Sequence, residues 1–129
     1  AVKDVNDLQP KKIIKIMEQM NISDKRKTIS ILGLAFKKDT DDIREAISIK
    51  IVKNLLKIGM KIKVHDPMAI NNFKKIFGEK IEYSKSISSC LTNSNCCIIL
   101  TEWDEYKKLK QKDFIKIMKT KNVIDARRI

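Results

Sequence analysis

Glycine and proline are scarce in this sequence, with three glycines and two prolines in 129 residues. A dinucleotide-binding loop of the G-x-G-x-x-G type needs clustered glycines, because the backbone there must approach a pyrophosphate closely. Here Gly33 stands alone after an apolar run. If the protein binds a phosphate, side chains rather than a glycine-rich backbone must hold it.

The residues that build metal and nucleophile sites are also few. His65 is the single histidine, and the three cysteines, Cys90, Cys96 and Cys97, have no C-x-x-C spacing. The acidic segment 39–42 lacks the glycine of a calcium-binding loop. We therefore expect no metal, a structural histidine, and cysteines that are reduced, buried thiols.

Long apolar runs are missing as well. No stretch approaches the roughly 20 apolar residues that span a bilayer. The N-terminal sequence A-V-K-D-V-N-D has neither the apolar core of a secretory signal nor the Arg/Ser bias of a transit peptide. These features predict a cytoplasmic protein with no membrane partner.

Positive charge, in contrast, is abundant: 28 Lys and Arg against 16 Asp and Glu give a net charge of +12. Such a balance is typical of nucleic-acid binding, but the lysines are spread from Lys11 to Lys121 rather than concentrated in one segment. Aromatic residues make up only 5%, so few are available to stack on bases. We expect a compositional bias toward lysine and no nucleic-acid partner, with a basic nucleic-acid binder as an alternative.

Strand and helix patterns alternate along the chain. Short apolar or β-branched runs predict strands, and apolar spacing of i, i+3, i+4 and i+7 predicts helices. The predicted strands are 28–33, 61–66, 80–83, 96–100 and 122–125, and the predicted helical segments are 10–20, 48–58, 71–78, 84–93 and 104–118. This order predicts one α/β domain, a doubly wound parallel sheet flanked by helices.

The candidate site follows the first of these strands. After Gly33 the sequence L-A-F-K-K-D-T-D-D-I-R contains none of the Gly, Pro or Asn that a simple turn would use. Ligands of open parallel sheets bind beyond the carboxyl ends of the strands, where cationic side chains can hold a phosphate. The candidates are Lys37, Lys38 and Arg44 in this loop and Arg127 after the last strand.

Four separated segments form a recognisable set: G-L-A-F-K-K-D-T-D-D-I-R-E-A at 33–46, H-D-P at 65–67, I-L-T-E-W-D-E-Y at 99–106 and V-I-D-A-R-R at 123–128. Together they resemble the C-terminal UDP-binding domain of the UDP-glucose/GDP-mannose dehydrogenase family. Its members are NAD-dependent UDP-sugar 6-dehydrogenases, which oxidise the C6 alcohol of the sugar to a uronic acid. The resemblance implies a Rossmann-like fold, with residues 28–129 as the UDP-sugar-binding domain and residues 1–27 as the end of an inter-domain connection and a first helix.

The resemblance also assigns roles to individual residues. Phe36, Lys37 and Arg127 would contact the UDP-sugar, and Arg44 would reach across a domain cleft to the cofactor NAD. Asp66 and Trp103 match the family's motifs, and we interpret both as structural. Two departures stand beside these matches, since His65 occupies the usual place of a tyrosine and Ile47 that of a frequent proline.

The family's catalytic half lies upstream of this domain and contains the NAD-binding domain and a cysteine nucleophile. The resemblance therefore implies that this chain is part of a longer enzyme and is inactive alone, with no catalytic residue of its own. The implied partners are the UDP-sugar, the N-terminal NAD-binding domain of the same enzyme, and a second copy in a homodimer. A stand-alone nucleotide-binding module is the alternative.

Overall fold

The computed structural model describes residues 10–127 and the backbone of residues 2–4. The predicted connection at Val5 and Asn6 lies outside the described residues. Within these described residues the strands are β1 (Val2–Asp4), β2 (Thr28–Leu32), β3 (Lys61–His65), β4 (Glu82–Tyr83), β5 (Cys96–Ile99) and β6 (Val123–Asp125). They form one parallel sheet in the order β1-β6-β5-β2-β3-β4.

Helices connect most of the strands. They are α1 (Pro10–Gln19), α2 (Ile47–Ile58), α3 (Ile70–Phe77), α4 (Ile87–Leu91), α5 (Asp104–Lys107) and α6 (Gln111–Ile115), with a 3-10 turn at Gly78–Lys80. Because helices cover both faces of the sheet, the predicted doubly wound, Rossmann-like α/β fold is confirmed. No helix in the described part of the chain is long and apolar enough to cross a membrane.

The alternation of side chains along β2 divides the core into two layers. One layer joins the strands to α1, α2 and α3, and it includes Ile13, Met17, Ile29, Ile31, Ile51, Leu55, Val64 and Phe73. The other joins them to α4, α5 and α6, and it includes Leu32, Leu91, Cys97, Ile99, Tyr106 and Phe114. The sheet is thus buried on both faces, as parallel sheets require.

Two elements differ from the sequence-based prediction. Strand β1 lies in the segment predicted to hold only a connection and a helix, and it pairs with β6 from Val2↔Val123 to Asp4↔Asp125. Three residues are too few to show a hydrophobic period, so backbone pairing defines this strand. The predicted helical segment 104–118 is two short helices, because Lys110 is extended and its N–H donates to Asp113 Oδ2 at 2.8 Å, which begins α6.

The three cysteines are buried and form no disulfide, as predicted. Burial raises the pKa of Cys90 to about 11 and that of Cys96 to about 12. Because the thiolate is the reactive form, these thiols are chemically inert near neutral pH and serve as packing groups.

Gly33 lies where the chain leaves β2, and its position requires a residue without a side chain. Its φ is +100°, and its N–H donates to the carbonyl of His65 at 2.9 Å. A Cβ at this position would lie 2.5 Å from Thr101 Oγ1. The close packing of the segments after β2 and β5 therefore depends on this glycine.

Replacing Gly33 with alanine should destabilise the fold by roughly 2–4 kcal/mol, from backbone strain plus steric overlap. The matched control is Gly59→Ala, because Gly59 has a similar φ of +89° but its Cβ would have only a 3.4 Å contact with Lys25. The control should lose about 1 kcal/mol. Urea unfolding measures both, and equal losses would contradict a steric role for Thr101.

Candidate functional site

A cleft of about 370 Å³ opens at the carboxyl ends of the neighbouring strands β2 and β5. Residues 35–37, after β2, form one wall, and residues 100–102, after β5, form the other. Glu45 and Ile47, at the start of α2, complete the lining. The cleft therefore lies where a parallel sheet places its ligands.

Phe36 and Lys37 lie in this cleft, next to each other in one wall. Phe36 is 61% exposed, which is unusual for a phenylalanine that has a well-packed core to join. Lys37 takes part in none of the ion pairs of the described residues. An exposed ring beside an unpaired ammonium can hold a flat group and an anion together.

Two glutamates that the sequence-based reasoning did not select line the same cleft. Glu102 lies in the wall after β5, and Glu45 has a φ of +58°, a backbone conformation that non-glycine residues seldom adopt. Carboxylates accept hydrogen bonds from hydroxyl groups. The cleft therefore offers acceptors for ligand hydroxyls as well as the Lys37 cation. Glu102 closely follows the predicted strand 96–100, which was the available signal, but a carboxylate does not bind phosphate and was therefore not selected.

The other predicted cations lie outside the cleft lining. Arg44 is held by Asp42 through two hydrogen bonds of 3.1 Å and 2.9 Å, and its side chain is 88% exposed. This pairing lowers the pKa of the Asp42 carboxyl. Arg127 is similarly held by Asp125, at 2.9 Å and 2.5 Å, and its side chain is largely buried. The structure thus brings Phe36 and Lys37 together and places the two arginines elsewhere.

Lys38, the remaining candidate cation, points away from this group. Its ammonium lies 3.8 Å from Asp104 Oδ1 at the start of α5, and it does not line the cleft. Adjacent lysines in the sequence therefore occupy different environments.

Hydrogen bonds hold Ala35 and Phe36 of the wall after β2, and Leu34 just before it, in place. Ser48 Oγ donates to the carbonyl of Leu34 at 2.7 Å, and Thr101 Oγ1 donates to the carbonyl of Ala35 at 2.9 Å. The Phe36 N–H donates to the carbonyl of Asp42 at 2.8 Å. The exposed side chains of this wall are those of Phe36 and Lys37.

The buried carboxylate of Asp66 supports both walls of the cleft from behind. It accepts hydrogen bonds from the N–H groups of Leu34 and Ala35, from the Trp103 indole, and from the N–H groups of Met68 and Ala69 before α3. Asp66 is 3% exposed. The structural interpretation of Asp66 and Trp103 thus agrees with their positions, and it gives them one shared role behind the cleft.

His65 is hydrogen-bonded to Tyr106, a buried residue of α5. The Tyr106 hydroxyl donates to the His65 carbonyl at 3.0 Å and lies 2.7 Å from His65 Nδ1. Since the hydroxyl has one proton, Nδ1 carries its own proton and donates it to the Tyr106 oxygen. Burial lowers the pKa of His65, with Glu105 and Asp66 opposing the shift, so the imidazole is neutral.

Most of the chain matches a known protein family. Residues 30–129 match the family described as "UDP-glucose/GDP-mannose dehydrogenase family, UDP binding domain". The chain belongs to this family. It is 34% identical over 129 residues to UDP-glucose 6-dehydrogenase TuaD of Bacillus subtilis, and 37% identical over 130 residues to UDP-glucose 6-dehydrogenase AglM of Haloferax volcanii.

The alignments cover 100% of this chain but only 28% and 29% of those two proteins, so the chain spans under a third of their length. A UDP-glucose dehydrogenase structure from Pyrobaculum islandicum superimposes with a TM-score of 0.81 and 29% identity. It covers 93% of this chain, which is matched to 26% of that one. The cleft walls 35–37 and 100–102 both lie within the matched UDP-binding domain.

Because folding lowers the pKa of His65 from 6.5, the unfolded chain binds more protons than the folded one between the two values. Stability should be complete above pH 6.5 and fall as the pH is lowered toward the folded pKa, by about 1.4 kcal/mol per pH unit between them. His65→Gln removes this titration. Between pH 7.5 and 5.5, urea unfolding should show a smaller loss of unfolding free energy for this variant than for the unmodified chain. Equal losses in the two proteins would contradict the assignment to His65.

Proposed function

We propose that this chain is the UDP-binding part of a longer, NAD-dependent UDP-sugar 6-dehydrogenase, and that the cleft between 35–37 and 100–102 holds the nucleotide. The observation that carries the proposal is the pair of Phe36 and Lys37, exposed and unpaired at the carboxyl ends of β2 and β5. The UDP-glucose 6-dehydrogenases among its relatives support the same substrate class.

In this proposal Lys37 binds the diphosphate and Phe36 packs against the uracil or ribose. The start of α2 favours the same anion, because Ile47 lines the cleft and the preceding residue, Ala46, offers no side-chain cap to the first N–H groups of the helix. Glu45 and Glu102 suit the neutral, hydroxyl-bearing parts of the ligand. The phosphate is thus held by a side chain and a helix end rather than by a glycine-rich loop.

Arg127 and Arg44 have secondary places in the proposal. Arg127 would contact the UDP-sugar from the end of β6, and its guanidinium is held in place by Asp125. Arg44 fits a contact with NAD across a domain cleft, since Asp42 orients an almost fully exposed guanidinium. NAD accepts the hydride from the sugar when bound, and we propose that another domain of the enzyme holds most of it and supplies the catalytic groups.

Holding the nucleotide far from the reacting carbon still contributes to the reaction. Binding energy from a non-reacting part of a substrate positions the reacting part and lowers the entropy cost of the chemical step. We therefore propose that this chain is inactive alone and positions the substrate in the intact enzyme, which would be a homodimer. The cytoplasmic location stays a prediction from the sequence.

A basic groove favours the second candidate, a polyanion-binding surface. Lys11 of α1 and three lysines of α2 line this groove of about 530 Å³ together with Pro10 and Asn54. The three lysines are Lys50, Lys53 and Lys57. Among the residues that the structure describes, no acidic side chain lines this groove, so a nucleic acid would bind here rather than in the cleft.

A titration of the 129-residue chain with UDP, followed by backbone NMR, tests the first proposal. We expect saturable shifts at residues 35–37 and 100–102 and an affinity about tenfold lower in Lys37→Ala, because a charge-assisted hydrogen bond is lost. The matched control is Lys38→Ala, which removes the same charge outside the cleft and should bind UDP as the unmodified chain does.

Two outcomes would contradict the assignment of the cleft. One is an equal loss of affinity in Lys37→Ala and Lys38→Ala, which would indicate a nonspecific effect of net charge. The other is a set of shifts confined to the groove around Lys53 when an oligonucleotide is added, with none on addition of UDP. That result would favour the polyanion-binding alternative.

A further inference from the structure

We propose that Asp66 is the positioning residue of the nucleotide cleft. Its carboxylate joins the two cleft walls, so that ligand binding in the cleft changes the hydrogen bond of the Trp103 indole. This inference rests on the proposed function and extends it to a residue that does not touch the ligand. It depends on which groups share one carboxylate oxygen, and on how deeply that oxygen is buried.

The first wall is tied to Asp66 Oδ2 through two backbone groups. The N–H of Leu34 donates to this oxygen at 2.7 Å and the N–H of Ala35 donates at 3.0 Å. Ala35 itself lines the cleft, directly before Phe36 and Lys37. The position of Oδ2 therefore determines where the ligand-facing part of this wall begins.

The second wall is tied to the same oxygen through a side chain. The indole Nε1–H of Trp103 donates to Asp66 Oδ2 at 3.2 Å, and Trp103 follows Glu102 directly in the wall after β5. Trp103 is 7% exposed and does not line the cleft itself. Three donors from two chain segments thus share one oxygen, and a shift of one of them changes the hydrogen bonds of the others.

The other oxygen of Asp66 fixes the carboxylate against a rigid element. Oδ1 accepts the N–H groups of Met68 and Ala69 at 2.8 Å each, in the turn that directly precedes α3. Because a buried carboxylate needs these donors to offset the loss of water, it has little freedom to move. The two walls therefore move together relative to α3.

The direct consequence concerns the tryptophan resonance. The chain has one tryptophan, so its indole N–H gives a single NMR signal. When UDP contacts Phe36 and Lys37, the Ala35 N–H group should move relative to Asp66 Oδ2. The hydrogen bond from the Trp103 indole to the same oxygen should then change its length or angle. A residue outside the cleft would then report its occupancy.

The experiment is an NMR titration of the 129-residue chain with UDP, in which the indole signal and the backbone N–H signals of residues 35–37 are followed together. In the unmodified chain both should shift with the same apparent Kd. In Asp66→Asn the UDP affinity should fall about tenfold, because one acceptor oxygen is replaced by a donor. At saturating UDP the backbone signals of this variant should still shift, while the indole signal should not.

Ser48→Ala is the matched control. It removes the buried 2.7 Å hydrogen bond from Ser48 Oγ to the Leu34 carbonyl, which anchors the same wall without involving Asp66. This variant should lose stability and keep the indole response at saturation. A purely structural Asp66 would instead give the same indole response in Asp66→Asn and Ser48→Ala, and this result would overturn the inference.

Trp103→Phe tests the coupling if Asp66→Asn fails to fold, since it removes the indole donor and keeps an aromatic ring. Without ligand, the N–H signals of Leu34 and Ala35 should shift in this variant, because Oδ2 has lost a donor. Unchanged signals would overturn the inference.

A titration in which UDP shifts neither the cleft signals nor the indole signal would overturn the proposed function as well. Cleft shifts without an indole shift would overturn the inference alone.

Discussion

The buried carboxylate of Asp66 is the interaction on which this structure most depends. A charged group with 3% exposure is tolerated only when hydrogen bonds replace its water, and here five N–H groups do so. They come from the segment after β2, the start of α3 and the side chain of Trp103. Each of these elements is therefore oriented by the same two oxygens, which leaves the loops around the cleft few alternative arrangements.

A second constraint excludes a glycine-rich phosphate loop after β2. The glycine that follows β2 is used for close packing, since a Cβ on Gly33 would overlap Thr101. No further glycine is present in the loop to cradle a phosphate. Phe36, Lys37 and Ile47 of α2 line the cleft at the carboxyl ends of β2 and β5, with Glu45 and Glu102 beside them.

Sequence patterns predicted the elements that have enough residues to show a period. The apolar spacing of α1 and α2 and the apolar run of β5 predicted these elements, and the alternation of strands and helices predicted the parallel sheet. β1 was missed because three residues show no period. The break at Lys110 was missed because it depends on one local hydrogen bond to Asp113. Of the predicted site residues, Phe36 and Lys37 line the cleft, and their contact with a nucleotide stays a prediction, whereas Glu45 and Glu102 were overlooked.

By itself the sequence determined the fold class and the family, because hydrophobic period and motif spacing are local properties of the chain. Only the tertiary structure decided which charged groups meet. It separated Lys37 from Lys38, paired Arg44 with Asp42 and Arg127 with Asp125, and gathered the donors around Asp66. Asp66 and Trp103 are 37 positions apart in the sequence. Contacts of that range depend on strand order and register, which no local pattern encodes.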